Sequence, residues 1–140
     1  MNKYKRFLGT FVSVVIVSLL VFGTQVFAAP KRETVKLLTN MSPTVRSSSR
    51  SGKYASAYAR CYSVYPYAGG KDTYKRIRVT VYSTDHRQIT DTVVLNEENT
   101  ANTLIRFYDI PLNFYTINFY FTGNSNTAPA AGAEVMYDAR

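Results

Sequence analysis

The sequence predicts an all-β protein, a small antiparallel β-sandwich of about seven strands, and three observations support this prediction. Several segments alternate apolar and polar residues with a period of two, as strands with one buried face do. Turn-rich segments containing Gly, Pro, Asn and Ser separate them, and no long helical pattern follows residue 28. Such a series of short strands is typical of two packed sheets. A five-stranded β-barrel with long loops is the alternative.

The first 28 residues have the pattern of a secretory signal peptide. Three basic residues precede the apolar run FVSVVIVSLLVF at 11–22, and the tripeptide VFA ends at Ala28. The run is shorter than the ~20 apolar residues that a membrane span requires. We therefore expect a secreted bacterial protein that is cleaved between Ala28 and Ala29 and has no membrane span afterwards. An uncleaved membrane anchor is the alternative.

Residues 29–140 are expected to form a single β-sandwich domain, because 112 residues suffice for one core but not for two. They contain 14 basic and 9 acidic residues, a net charge of +5. Cys61 is the only cysteine, which excludes an intramolecular disulfide. It lies among alanines on one face of its segment, so we expect a buried, unreactive thiol. An intermolecular disulfide or a reactive thiol is the alternative.

The first half of the domain is predicted to contain three strands. Residues 34–39 form the first, and the Ser- and Arg-rich segment 40–52 is predicted to be an exposed loop because it has almost no large apolar side chains. Strands over 54–65 and 74–83 follow. The tyrosines of 54–65 also fit helical spacing, so a helix is the alternative there.

These last two segments are predicted to pair as a hairpin around the turn-rich connection 66–72. Seven of the twelve tyrosines lie between residues 53 and 83. Small and branched residues such as Ala59 and Val79 would point inward, and tyrosines and arginines would share the outward face. That predicted Tyr/Arg face consists of Tyr58, Arg60, Tyr62, Arg76, Arg78 and Tyr82.

The second half is predicted to contain strands over 88–95, 103–108, 112–122 and 133–139. Asp91 interrupts the apolar face of the first of these, which indicates an edge position or a bulge. Apolar residues occur on both faces of 112–122, which favours a central strand.

The two halves of the domain have opposite charge. Residues 29–87 carry a net charge of +9 and residues 88–140 a net charge of −4. Either the fold has one basic and one acidic surface, or opposite charges lie side by side in it. The second is expected, because strands that are distant in sequence are often neighbours in a sandwich.

The Tyr/Arg face is the strongest candidate for a binding site. Aromatic rings stack on sugars or bases, and guanidinium groups pair with carboxylate or phosphate. We therefore expect an anionic envelope polysaccharide as the ligand, and no nucleic acid, since an exported protein rarely meets it. Cross-strand Tyr–Arg pairs that merely stabilise the sheet are the alternative.

The sequence offers no catalytic constellation. His86, the only histidine, lies in a predicted polar turn, and pairing it with Cys61 would require the thiol to leave its apolar face. No GxSxG, HExxH or paired-cysteine motif occurs, and the oxygen-rich segment 96–102 has no dedicated calcium-loop spacing. We expect no enzyme activity, no cofactor and no metal.

The predicted function is that of a secreted, non-enzymatic binding protein that engages an envelope glycan or another polyanion. One alternative is a structural, self-associating or protein-interaction subunit at the cell surface. It would bind a surface protein or its own copies through the edge strand 88–95, or associate head to tail through the opposite charges of its two halves. A second is a bacteriocin-like effector.

Overall fold

The computed structural model describes residues 30–38, 42–50, 54–66, 74–108, 116–124 and 130–139, and the structural statements below concern these residues. The predicted signal segment lies outside them. They form eight β-strands: β1 Lys31–Leu37, β2 Thr44–Ser49, β3 Ser56–Pro66, β4 Arg76–Ser83, β5 Val93–Asn96, β6 Thr103–Arg106, β7 Thr116–Gly123 and β8 Ala131–Asp138. None of them forms a helix that is long and apolar enough to cross a membrane.

The strands form two antiparallel sheets of four. Sheet A has the order β1-β8-β3-β6 and sheet B the order β2-β7-β4-β5. The chain thus folds like one long hairpin, with β4 and β5 at its tip and β1 beside β8 at its open end. The pairs β1–β8, β2–β7, β3–β6 and β4–β5 are distributed over two sheets, which is the strand order of a jelly roll. The prediction of a two-sheet antiparallel sandwich is confirmed, with eight strands instead of seven.

The additional strand, β2, lies within the segment predicted to be an exposed loop, and that prediction is wrong over residues 44–49. β2 is the edge strand of sheet B and pairs only with β7. Its inward positions hold Ser48 and Arg46, whose Nε donates to Glu33 Oε2 over 2.8 Å. β2 has no apolar alternation that would identify it as a strand, because its inward positions hold a buried serine and a partly exposed, ion-paired arginine.

The predicted hairpin between the two tyrosine-rich segments is also wrong. Both segments are strands, and the helical alternative for 54–65 is not adopted, but β3 lies in sheet A and β4 in sheet B. β3 pairs with β8 and β6, while β4 pairs with β7 and β5. Alternation shows which residues of a strand share a face, but it does not identify the partner strand.

The strand predicted over 88–95 is shorter than expected. Only β5 at its end is a strand, and it lies at the edge of sheet B, as Asp91 indicated. The preceding residues cross from one sheet to the other. Ile89 N donates to Val81 O over 3.0 Å, and Tyr108 N donates to Ile89 O over 2.9 Å. This crossing closes one side of the sandwich.

The core lies between the sheets. Sheet A contributes mainly small residues, and the aromatic side chains come chiefly from β7, which is central in sheet B as predicted. The ring of Tyr137 packs at centroid distances of 5.0 Å from Phe119 and 5.8 Å from Phe121. Its hydroxyl donates to Glu33 at the rim of the core. Burial, together with this hydrogen bond to a carboxylate, raises the pKa of Tyr137.

Candidate ligand-binding face

The six residues of the predicted Tyr/Arg face lie on opposite sides of the sandwich. The three from β3, namely Tyr58, Arg60 and Tyr62, lie on the outer face of sheet A. The three from β4, namely Arg76, Arg78 and Tyr82, lie on the outer face of sheet B. The prediction that all six share one face is wrong, because it depended on the hairpin that does not form.

The residues from β3 are engaged with their own sheet. Arg60 and Tyr62 lie on the same side of β3, as alternation requires, and the register shifts between Cys61 and Ser63. The guanidinium carbon of Arg60 lies 4.5 Å from the centroid of the Tyr62 ring, and that of Arg32 from β1 lies 4.0 Å from it. These are stacked cation–π contacts.

An ion pair completes this group of side chains on sheet A. Arg32 Nε donates to Glu134 Oε1 over 2.7 Å, and this hydrogen bond lowers the pKa of the Glu134 carboxyl. Met136 is opposite both Arg32 and Arg60 in the sheet register and is only 5% exposed although it faces outward. The arginine and tyrosine side chains therefore cover β8, which is the stabilising role that the sequence left as the alternative.

The outward residues of sheet B have a different chemistry. Apart from two exposed valines, they carry hydroxyl, amide, aromatic and guanidinium groups, and no strand of sheet B contains an aspartate or glutamate. We call these residues the sheet-B face: Val45, Ser47 and Ser49 of β2, Thr116, Asn118, Tyr120 and Thr122 of β7, Arg76, Arg78, Thr80 and Tyr82 of β4, and Val94 and Asn96 of β5.

One end of the sheet-B face is aromatic. The rings of Tyr82 and Tyr120 have centroids 4.3 Å apart and an interplanar angle of 40°. Tyr82 donates from its hydroxyl to Gln88 Oε1 over 3.4 Å. His86, from the turn after β4, places Nδ1 3.1 Å from the hydroxyl oxygen of Tyr120. Three rings from two neighbouring strands and a turn thus meet at this end.

The turn that presents His86 is fixed by the buried residue Ser83. Ser83 N donates to Arg87 O over 2.9 Å, and His86 N donates to Ser83 O over 3.1 Å. The Ser83 hydroxyl hydrogen-bonds the Asp85 carboxylate, and this bond lowers the pKa of Asp85. His86 has a φ of 62°, in the left-handed region that non-glycine residues seldom occupy. The exposed turn predicted for His86 is therefore present, but its ring is held against β7.

The other end of the sheet-B face is cationic. Arg78 Nε donates to Asn124 Oδ1 over 3.3 Å, a bond that leaves the positive charge of the guanidinium uncompensated. Arg76 is exposed and forms no ion pair with another described residue. Of the two glutamates that follow β5, Glu97 accepts from Val64 N over 2.7 Å and Glu98 pairs with Lys75 over 3.4 Å.

Charge is mixed across the domain rather than divided between two surfaces. Two of the three ion pairs among the described residues, Arg32–Glu134 and Lys75–Glu98, join the basic first half of the chain to the acidic second half. Neighbouring strands come from opposite halves of the chain, which explains this mixing. The sheet-B face is an exception, because its two arginines face outward from a sheet without carboxylates.

The structure does not bring together Cys61 and His86, the nucleophilic pair considered from the sequence. Cys61 faces the core from sheet A and is 1% exposed, whereas His86 is exposed beside sheet B. Burial raises the pKa of the Cys61 thiol to about 12. In the described part of the chain, no group of three or more His, Cys, Asp or Glu side chains could hold a metal ion.

Sequence reasoning missed Tyr120, Asn118 and Gln88 as neighbours of Tyr82, and His86 as a neighbour of Tyr120. The alternation of residues 112–122 does place Tyr120 and Asn118 on one side of their strand. Nothing in the sequence indicates that β7 lies beside β4, however. Comparison with known proteins adds no relative, since no family model, no curated protein and no solved structure matches the chain.

Proposed function

We propose that the chain is a secreted, non-enzymatic binding protein, and that its sheet-B face holds an acidic polysaccharide of the bacterial cell envelope. One observation carries the proposal: paired tyrosine rings and two arginines share a sheet face that contains no carboxylate.

The aromatic end supplies a surface for sugar rings. Tyrosine combines a flat apolar ring with a hydroxyl that hydrogen-bonds, so it contacts both the apolar face and the hydroxyl groups of a sugar. The Tyr82 and Tyr120 rings and the His86 ring support one another through contacts within the protein. A site whose side chains are already positioned loses little conformational entropy when the ligand binds.

The cationic end supplies recognition of the acid group. Guanidinium groups bind carboxylate or phosphate through paired N–H donors. On the outer face of sheet A, by contrast, Arg32 is already paired with Glu134 and stacked on Tyr62. An anion that approaches the sheet-B face has no protein carboxylate to displace, which favours that face as the site.

Retention on bacterial envelopes tests the proposal. Protein purified from cells that express the full chain is mixed with washed envelopes and pelleted at low and at high salt. We expect pelleting at low salt that high salt reverses, because screening weakens attraction between exposed charges. The double variant Arg76→Ser/Arg78→Ser should lose this retention while remaining folded.

A matched control removes the same number of charges from the opposite face. Lys36 and Arg106 are exposed on the outer face of sheet A, so Lys36→Ser/Arg106→Ser should keep the retention. If the Arg76/Arg78 variant still pellets, or if both double variants lose retention equally, the sheet-B face is not the site.

The self-association alternative used the edge strand predicted over residues 88–95 and the opposite charges of the two halves of the chain. β5 spans only Val93–Asn96, and natural proteins use short edge strands to limit pairing with other chains. Ion pairs also join the two halves within the fold. We therefore rank self-association behind polysaccharide binding. A sedimentation coefficient that rises with protein concentration would support it. Inhibition of neighbouring bacteria by the purified protein would instead support the effector alternative.

A further inference from the structure

We infer that the sheet-B face is a two-ended site that requires a linear acidic polysaccharide of several linked sugars, and that a single acidic sugar cannot occupy it fully. This inference rests on the proposed function. It adds the size and the arrangement of the ligand: a sugar ring lies on the tyrosines while an acid group lies on the arginines.

The first step is the distance between the two ends. Tyr82, Arg78 and Arg76 lie on the same side of β4 because even numbers of residues separate them. At about 3.3 Å per residue, the backbone of Arg78 lies about 13 Å from that of Tyr82, and the backbone of Arg76 lies about 20 Å from it. Tyr120 is opposite Thr80, about 7 Å along the strand from Arg78. Its hydroxyl lies beside His86, however, so its ring is directed towards the Tyr82 end. No single sugar spans the distance between that end and the arginines.

The second step is the direction of the Arg78 side chain. Its Nε donates to Asn124 Oδ1, and Asn124 follows Gly123, which pairs with Ile77. Asn124 therefore lies towards the Arg76 end of β4. The Arg78 guanidinium is directed away from Tyr82, so the two arginines form one cationic end that is well separated from the rings.

The third step is the surface between the two ends. Thr80 lies between Arg78 and Tyr82 on β4, and its hydroxyl lies 2.7 Å from that of Thr92. Thr122, beside Arg78 on β7, is the next outward residue after Tyr120. Thr80 is only 9% exposed, whereas Thr122 is partly exposed, so Thr122 supplies the accessible hydroxyl group between the tyrosines and the arginines. A sugar chain that joins the two ends can hydrogen-bond to it.

Because the ligand makes two linked contacts, its affinity should depend strongly on the number of sugars in the oligosaccharide. An oligomer that already rests on the tyrosines holds its acid groups at high effective concentration near the arginines. Affinity should therefore rise on the order of a hundredfold once an oligomer reaches both ends, and then level off.

Calorimetric titration with a graded series of oligosaccharides tests the inference. Oligogalacturonates of one to about eight units supply linked sugars with carboxylates, and their methyl esters supply the same sugars without the charge. A parallel series of glycerol phosphate oligomers supplies the phosphate form of the acid group. The wild-type protein should bind galacturonate monomer weakly and longer acidic oligomers far more tightly.

Variants at each end should separate the two contributions. Tyr82→Thr/Tyr120→Thr keeps residues that favour strands and should weaken binding of acidic and esterified oligomers alike. Arg76→Ser/Arg78→Ser should abolish the difference between acid and ester. Lys36→Ser/Arg106→Ser should behave as wild type. The length series with wild-type protein needs no variant, so the inference stays testable if the tyrosine variant does not fold.

Equal affinity for monomer and for long oligomers, or no binding by either series, would overturn the two-ended site. That result would leave the proposed function standing if envelope retention is still lost in the Arg76/Arg78 variant. Retention that survives in that variant would overturn the proposed function itself.

Discussion

His86 and Tyr120 are 34 residues apart in the chain, yet the ring nitrogen of one lies 3.1 Å from the hydroxyl oxygen of the other. Two features bring them together. β4 and β7 are neighbours in sheet B, and the turn after β4 bends back over that pair. The only histidine of the protein thereby becomes part of the aromatic end of the sheet-B face.

Because His86 has a left-handed backbone conformation, we expect that its replacement by glycine does not destabilise the protein. His86→Gly removes a side chain from a position with a φ of 62°, where glycine has no steric penalty. We expect the free energy of unfolding, measured by urea denaturation, to equal that of wild type or to increase by up to about 1 kcal/mol. Envelope retention should decrease, because Tyr120 loses its partner.

Thr84→Gly is the matched control in the same turn. Thr84 is exposed and has no positive φ, so glycine there should cost about 0.5–1 kcal/mol through the entropy of the unfolded chain. If the two glycine variants lose the same stability, the backbone of His86 gives glycine no advantage, contrary to this prediction.

Thr90 completes the hydrogen bonding of β4. Its Oγ1 accepts from Val81 N over 3.0 Å at a fully buried position, where β5 has not yet begun. Thr90→Val keeps the shape but leaves a buried N–H group without an acceptor, which should cost about 1–3 kcal/mol in chemical denaturation. Thr34→Val, at an exposed position of β1, should cost far less. Equal losses in the two variants would contradict the role assigned to Thr90.

Tyr137 should make the protein sensitive to alkali. Burial and the bond to Glu33 raise its pKa in the folded state, whereas an unfolded tyrosine ionises near pH ~10. The unfolded state therefore loses its proton first, and the stability that is fully present below pH ~10 is lost as the pH rises further. In Tyr137→Phe the free energy of unfolding should decrease less steeply above that pH.

Tyr54→Phe is the comparison for this measurement. Tyr54 is 56% exposed, so its replacement should leave the alkaline profile as in wild type. Burial also raises the pKa of the Cys61 thiol. Its ionisation therefore lowers stability at high pH in wild type, Tyr137→Phe and Tyr54→Phe alike. A profile for Tyr137→Phe as steep as that of wild type would show that the buried hydroxyl is not responsible.

Cys61 should not react with thiol reagents in the folded protein. Only the thiolate is nucleophilic, and burial raises the pKa of this thiol to about 12. At pH 8 we expect negligible colour from a disulfide reagent until denaturant is added, and one thiol per chain afterwards. Rapid labelling without denaturant would show that the thiol is accessible and would support the alternative that Cys61 is reactive.

The N-terminal segment gives a prediction that is independent of the fold. Expression of the full chain in a bacterial host should yield an exported protein whose first residue is Ala29. N-terminal sequencing checks it. Recovery of the protein with Met1 in the membrane fraction would instead support the uncleaved anchor.

The faces of single strands could be predicted from the sequence, because a period of two is a local property. Ile77, Val79 and Val81 point inward as predicted, and so do Ala59 and Cys61. These positions identified the sandwich correctly.

The pairing of strands could not be predicted, and the candidate site depended on it. Tyr82 and Arg60 were expected on one face because their segments are consecutive, and the fold places them on opposite sides. Tyr82 and Tyr120 belong to segments with no local signal of contact, and the fold brings their ring centroids to 4.3 Å from each other. β2 was missed for a further reason, since its Ser and Arg residues resemble those of a loop.

The pairing of β1 with β8 also constrains how the protein is made. Lys31 is opposite Tyr137 in the register, and among the described strands β8 alone pairs with β1. Sheet A therefore cannot be completed until nearly the whole chain is available, and contacts so distant in sequence make folding slow. If the chain is exported as its N-terminal segment predicts, β1 crosses the membrane first and meets its partner strand only after β8 has crossed.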